Sequence, residues 1–336
     1  MPEDGPAIVA LMKAAGLKPH ENPRHTHWKY WQHREDWPGS RSFVLTDGHE
    51  ILAHVAVVPG SCRLGAAEIR VAFVIDWAAR PRELGAGVVL MKQMSNVAEL
   101  VLAVGGSNHA LKIMPRIGFE ERGVMTGYVH SLSPFALLRR PCHPRWKRVP
   151  RFLRSILWSA AAPRPRATNW QVRRISQNEL MDIRAAFPSS RPGLAALERS
   201  EALLRHALAC PILPMELYAL ERAGRIGGYF VMSYAPGQAR LADCWIASEH
   251  PEDWRELALA AARTAKSKGD LAELVAWSND PQLSAALVDS GFHCRLTLPI
   301  FLRGSANVGI PQEPLRVQML DGDASYLYFG NDDLWA

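Results

Sequence analysis

Cysteine is scarce in this chain, and none of it is arranged for pairing. The five cysteines, Cys62, Cys142, Cys210, Cys244 and Cys294, are scattered and include no Cys-x-x-Cys step. That argues against a disulfide framework or a zinc site and for reduced thiols in the cytoplasm. No apolar run reaches the roughly 18 to 20 residues a membrane span requires. No secretory leader or lipidation motif is visible at the acidic start Met1-Pro-Glu-Asp4. Acid is missing from the middle of the chain: no Asp or Glu occurs between Glu121 and Glu179, while Arg139 to Arg166 carries eight arginines and one lysine. The formal charge of +6 resides there, since without those nine cations the remainder would stand at about -3. Zinc-finger spacing and aromatic RNA-binding motifs are absent too, so no specific nucleic-acid partner is expected. His27 and His33 have no ligand-like spacing with other residues, and no metal is expected.

A length of 336 residues suits two domains, and 48% hydrophobic content suits sizeable cores. Phe43 to Leu45 and Ile51 to Val58 flank Asp47-Gly48, which predicts a β-hairpin. An apolar stretch from Val71 to Ala79 runs into Arg82-Glu-Leu-Gly-Ala-Gly87 and then into a helical pattern through Met94. Strand, glycine turn and helix in that order build an anion site, because Gly85 and Gly87 permit close approach and the helix directs unpaired N–H groups at the same point. The turn lacks the Gly-Lys-Ser/Thr of a Walker loop and the Gly-x-Gly-x-x-Gly order of a dinucleotide turn. Leu100 to Val104 reads as a short strand. Gly118 follows a helix, where a left-handed cap is expected.

Arg82 to Gly87 resembles the coenzyme A loop of the GNAT acyltransferases, Arg/Gln-x-x-Gly-x-Gly/Ala. Ser107-Asn108 through Gly118-Phe119 is similar to that family's Asn-led helix closed by Gly-Phe. Met1 to Leu11 resembles its first helix, and the likeness spans roughly residues 1 to 130. The resemblance implies an α/β fold and acetyl-CoA as cosubstrate, held by Arg82, Glu83, Leu84, Gly85, Ala86 and Gly87, with Asn108 touching the coenzyme or capping its helix. GNAT chains commonly open with a strand before the first helix; here the true start lies upstream or another segment takes that edge.

Residues 168 to 300 repeat the element order. Their sharpest echo is Ser278-Asn279 through Gly291-Phe292, whereas Ser248 to Arg255 has no glycine where the loop would recur and carries Glu249, Glu252 and Asp253. The chain reads as a tandem GNAT: an acyl-CoA-binding domain over 1–137, a basic Pro-rich linker over 138–167, and a degenerate copy with a C-terminal extension over 168–336. Each domain is expected to own a mixed, mostly antiparallel sheet flanked by helices. The tail from Pro314 is expected to supply a strand or a wall of the cleft. Val149 to Ala161 suggests one helix with Phe152, Leu153, Ile156 and Leu157 on one side. It suits either packing between the domains with its arginines in water or peripheral contact with an anionic membrane.

Acyl transfer to an amine needs a base and a means of stabilising the leaving thiolate. Asp76 is the candidate base, its apolar flanks Ile75 and Trp77 being expected to raise its pKa, with a structural or helix-capping role as the alternative. The family's tyrosine four residues before Gly118 is Met114 here, so protonation falls to water or Tyr128. Trp28, Tyr30 and Trp31 lie in an aromatic stretch suited to stacking on an acceptor such as an amino sugar, or to plain packing. The expected function is N-acylation of a small-molecule amine, by a monomer with internal pseudo-symmetry or by a homodimer. The alternatives are an inactive binding or membrane-associated module and a Fem-like aminoacyltransferase. Acceptor identity and acyl-chain length are not encoded in any motif.

Overall fold

The computed structural model describes residues 1–64, 67–83, 85–139, 146, 148–161, 163, 169–190, 194–305 and 308–327. Helices α1 (Gly5–Ala14) and α2 (Pro23–Tyr30) come first, followed by strands β1 (Ser42–Thr46), β2 (Ile51–Leu64) and β3 (Ala67–Ala79). Helix α3 (Ala86–Gln93), β4 (Leu100–Val104), α4 (Asn108–Ile113) and β5 (Glu120–Ser131) complete the first half. Two helices, α5 (Pro134–Leu138) and α6 (Arg148–Ala161), lead to β6 (Gln171–Ile175), β7 (Ala195–Ala196) and α7 (Glu201–Leu208). The second half continues with β8 (Met215–Arg222), β9 (Arg225–Ala235), β10 (Gln238–Ile246), α8 (Pro251–Ser267), β11 (Glu273–Ser278), α9 (Pro281–Asp289), β12 (His293–Gly304) and β13 (Leu315–Arg316).

Local chemistry explains many of these boundaries. Asn22 accepts a hydrogen bond from the Arg24 amide, and Pro23 stands in the first turn, so α2 begins there. Between β1 and β2 the Asp47 carboxylate accepts from the amides of His49 and Glu50, both at 2.9 Å. Between β8 and β9, Ala223 and Gly224 adopt φ of 52° and 73°, the left-handed pair that a tight two-residue hairpin demands. Residues Gln177–Ala186 coil as a 3₁₀ segment behind a Ser176–Glu179 capping box.

Among the described residues eleven strands form one mixed sheet, ordered β1-β2-β3-β4-β12-β5-β11-β10-β9-β8-β6. This corrects the expectation that each half owns its sheet. Strand β12 lies between β4 and β5, and β5 lies between β12 and β11, so the last strand each half gives this sheet pairs with the strand before it in the other half. Among the described residues only β3–β4 and β10–β11 are parallel pairs within it. The period-2 alternation of β3 sends Val71, Phe73 and Ile75 into a core shared with α1, and Ala72 and Val74 into one shared with α3.

The expected linker helix is present as α6, but its apolar face does not pack between the halves. Its inward side is Ser155, bonded to Ser131 (Oγ–Oγ 2.5 Å), together with Ser159 and Trp158, which stacks on His293 at 4.1 Å. Val149, Leu153, Ile156 and Leu157 are exposed. Arg140, Arg145, Lys147, Arg164 and Arg166 lie outside the described residues. Among the described residues no helix is long and apolar enough to cross a membrane.

Candidate functional site

The chemistry-bearing residues gather where β3 and β4 part company. These parallel strands pair only from Val71–Leu100 to Phe73–Leu102 and then diverge. Just beyond, β3 carries a bulge: Asp76 and Trp77 together oppose Val55 of β2. Asp76 holds φ at 50°, a left-handed conformation that costs a non-glycine residue roughly 1 kcal/mol or more. The bulge turns Asp76 into a cavity of about 400 Å³ between α1, α2, the two diverging strands and the C-terminal tail. Gly322 brings that tail close over β3, where an added Cβ would lie 2.8 Å from Phe73 Cζ.

Three distant segments meet in this cavity. Lys29 forms an ion pair with Asp76 and a second with Asp323 at 3.1 Å, and Tyr30 donates to Asp76 Oδ2 at 2.6 Å. Burial disfavours the Lys29 charge, but the two carboxylates outweigh it and hold the ammonium above the usual lysine range. The expected upward shift of Asp76 is corrected. Burial does push that way, but Lys29 and the Tyr30 hydroxyl overcome it and place the carboxyl below its ordinary value. Asp323 goes the other way: burial, reinforced by repulsion from Asp76, outweighs Lys29 and raises it. Two carboxylates on one ammonium are thus driven apart, one held below its ordinary value and the other raised above it. Tyr30 stays protonated, raised by burial and then by Asp76. Burial lowers His25 to about 3 and His54 to about 4, so both rings are neutral around this group.

Beside the cavity, α3 begins at Gly85, whose φ of 90° only glycine adopts without strain and which offers no side-chain cap. Ala86 N donates to the Glu83 carbonyl at 3.3 Å, and the amides of Gly87 and Val88, which no side chain caps, face a ligand or solvent. A Cβ on Gly87 would come within 3.1 Å of both Ala79 Cβ and Trp77 Nε1. Trp77, which lines the cavity, donates to the Gly87 carbonyl at 2.9 Å and ties this helix end to the opening.

The remaining expected residues divide. Arg82 and Glu83 are exposed on the turn and Ala86 is buried at the start of α3, while Leu84 lies outside the described residues. Asn108 does not cap its helix: Ser107 does, accepting from Ala110 N at 3.2 Å, and Asn108 is exposed in the first turn. Tyr128 is buried in the core between β11 and β12, and it is not among the residues that line the cavity. Of the three aromatics expected at the acceptor, Tyr30 alone reaches the cavity. Trp28 stacks on His206 at 4.6 Å and joins the halves, and Trp31 packs over Gly5. Lys29 and Asp323 were not foreseen; a lysine within an aromatic run and the acidic turn Asp321-Gly-Asp323 were the available signals.

The second half contains a comparable opening with different contents. Strands β10 and β11 pair in parallel from Gln238–Glu273 to Leu241–Ala276 and then separate. A bulge precedes Asp243, which accepts from Tyr229 at 2.6 Å and binds Arg199 through both oxygens at 2.8 Å. The tail fills this gap. Gln318 exchanges two hydrogen bonds of 2.9 Å with the backbone of Cys244, and Asn279 exchanges two with Leu315 and Val317 at 2.7 and 2.8 Å. Arg316 is buried against Asp280 at 3.1 Å.

Known structures share this architecture. A probable N-acyltransferase from Enterococcus faecalis V583 superposes with a TM-score of 0.57 at 13% identity, over 90% of this chain and 70% of that one. A GCN5-related N-acetyltransferase from Anabaena variabilis ATCC 29413 gives 0.56 at 12%, again over 90% and 70%. Another from Kribbella flavida gives 0.52 at 14%, over 90% and 69%. At these identities the likeness establishes the fold, an α/β architecture with a mixed sheet flanked by helices. No protein-family model and no curated protein sequence matches the chain.

Proposed function

We propose that the chain is an N-acyltransferase of the GNAT type, with acetyl-CoA as the acyl donor and a small-molecule amine as the acceptor. The observation that carries this reading is the β3–β4 opening. Two diverging strands, an uncapped glycine helix start and a cavity with one ammonium and two carboxylates adjoin one another. The residues fit the coenzyme: Gly85 leaves open space above the α3 N-terminus for a diphosphate, and the strand edges beyond Phe73 and Leu102 suit an extended amide chain. When bound, it would supply an activated acyl group on a thioester.

The side chains divide the remaining work. Asp323, with its raised carboxyl, is the group suited to take the proton from an acceptor ammonium; Asp76 is too well stabilised as a carboxylate to do so. Lys29 keeps a fixed positive charge in the cavity, which favours negative charge developing on a thiolate or carbonyl oxygen. Asp76 and Tyr30 hold Lys29 in place. The pair of carboxylates around one ammonium leaves the cavity suited to a cationic amine.

We read the second half as a degenerate copy of the first, its opening filled by the tail and its helix α8 headed by Glu252 and Asp253 in place of glycines. A binding module without turnover is the second reading, favoured by Met114, which lines the cavity where the resemblance implies a tyrosine. A thiol-release assay with acetyl-CoA and a panel of polyamines, amino sugars and aminoglycosides separates the two. Turnover lost in Asp323→Asn with coenzyme binding retained supports the enzyme. Binding without turnover on any amine supports the module.

A further inference from the structure

We propose that α6 docks the protein on the surface of an anionic lipid bilayer. The helix is amphipathic with its apolar side outward: Val149 is 63% exposed, Leu153 54% and Leu157 67%, with Ile156 beside them. Spacings of three and four residues place these four on one stripe. Phe135, 68% exposed, packs against Phe152 of α6 at 5.8 Å and extends the apolar surface, and Trp146, just upstream, is 70% exposed. A helix that served only to join two halves would turn this stripe inward. Here serines face in, with Ser155 fully buried on Ser131.

Charge identifies what covers the stripe. Arg148, Arg151 and Arg154 belong to the same helix, within a segment of nine cations that contains no carboxylate. The acids that face it from neighbouring elements are Asp270, 3.5 Å from Arg139, and the buried Glu273 of β11, which acts on Arg154. A second copy docked by the same stripe would set two such cationic segments against each other. Nucleic acid would answer the charge but not the apolar stripe. An anionic bilayer answers both, with acyl chains for the stripe and headgroups for the arginines. At 14 residues α6 is about 21 Å long, short of the roughly 30 Å hydrocarbon core, so it lies along the surface.

The docked face is one layer from the cavity. Trp158 of α6 packs on the cluster of Val129, Val275 and Met319, and Met319 and the adjoining Trp277 line the cavity wall. Docking would therefore hold the opening near the membrane surface and favour acceptors found there, a consequence that rests on the reading of that cavity given above. The docking itself does not.

Flotation of the full chain with phosphatidylcholine vesicles, with and without phosphatidylglycerol, tests this. The protein should float with the anionic vesicles alone and be released by high salt. The double substitution L153E/L157E should lower binding by about tenfold or more. Both positions are exposed, so its melting temperature should stay close to the parent's. R148E/R151E should weaken binding in the same direction. Absence of flotation, equal flotation on neutral vesicles, or flotation indifferent to L153E/L157E would overturn the proposal. So would sedimentation showing a dimer that L153E/L157E dissolves while no vesicle is bound. Acyl-transfer on a soluble amine should be unchanged by L153E/L157E, so failure of docking and failure of the catalytic reading are separable.

Discussion

The two openings of the sheet differ in what fills them. At β3–β4 a strand bulge presents Asp76 to a cavity, where it meets Lys29 and Tyr30. At β10–β11 a bulge presents Asp243 to Arg199 and Tyr229, and Asp243 is fully buried. In the second, Gln318 and Arg316 bond the carbonyl of Cys244 that the parted strands leave over, so the chain satisfies its own backbone. In the first, the same tail passes on to become a wall and contributes Asp323. One segment thus closes one gap and equips the other. A carboxylate on a bulge is therefore no mark of a site by itself; what surrounds it decides.

The largest effect that would separate the two is structural. Arg199→Met strands Asp243 and Asp321 in a dry interior and should cost about 3–5 kcal/mol by urea denaturation. Lys29→Met should cost clearly less, because Asp323 borders a cavity that admits water. Equal losses would erase the contrast between a sealed gap and an open one.

Next in size is chemistry. Asp323→Asn should lower kcat about a hundredfold while leaving the denaturation midpoint nearly unchanged. A variant as active as the parent would remove Asp323 from the reaction and return attention to Asp76.

Acid should weaken the whole fold before the carboxylates titrate. His25 and His54 are held down to about 3 and 4 by burial, and His206 to about 2 by burial and then Arg41. The unfolded chain protonates these rings near 6.5, so below that pH it binds more protons than the folded chain. Stability is accordingly full above pH 6.5 and falls as pH drops, by about 1.4 kcal/mol per unit for each ring. Denaturation at pH 7.5 and 5.0 reads the slope, and His54→Gln should remove one ring's share. An unchanged slope in that variant would show that His54 protonates without opposition.

The smallest effects concern the helix start. Gly85→Ala should cost roughly 1 kcal/mol, since φ at 90° is left-handed, and Gly87→Ala should cost a similar amount by crowding Trp77. Both should weaken coenzyme binding more than their stability cost explains if α3 is the cradle.

Local features were legible in the sequence because local chemistry makes them. Asp47-Gly48 turned a hairpin, Gly118 took φ of 90° after its helix, and Leu100 to Val104 formed a strand with those bounds. Gly85 takes a φ of 90°, and Gly87 sits where a Cβ would crowd Trp77, so both positions of the turn call for glycine. Non-local pairing was not legible: nothing between His293 and Gly304 announces that this strand enters between β4 and β5. Nor can a pattern of apolar positions say which side of a helix faces in, which is why α6 carries its stripe outward. The Lys29–Asp76–Asp323 group joins positions almost 300 residues apart in chain order, and only the folded tail brings Asp323 to it.

Isothermal titration of the full chain with acetyl-CoA bears most directly on an open first gap and a filled second. One site per chain, abolished by Gly85→Glu and untouched by Glu252→Gln, is the expected result. Two sites, no binding, or binding indifferent to Gly85→Glu would contradict it.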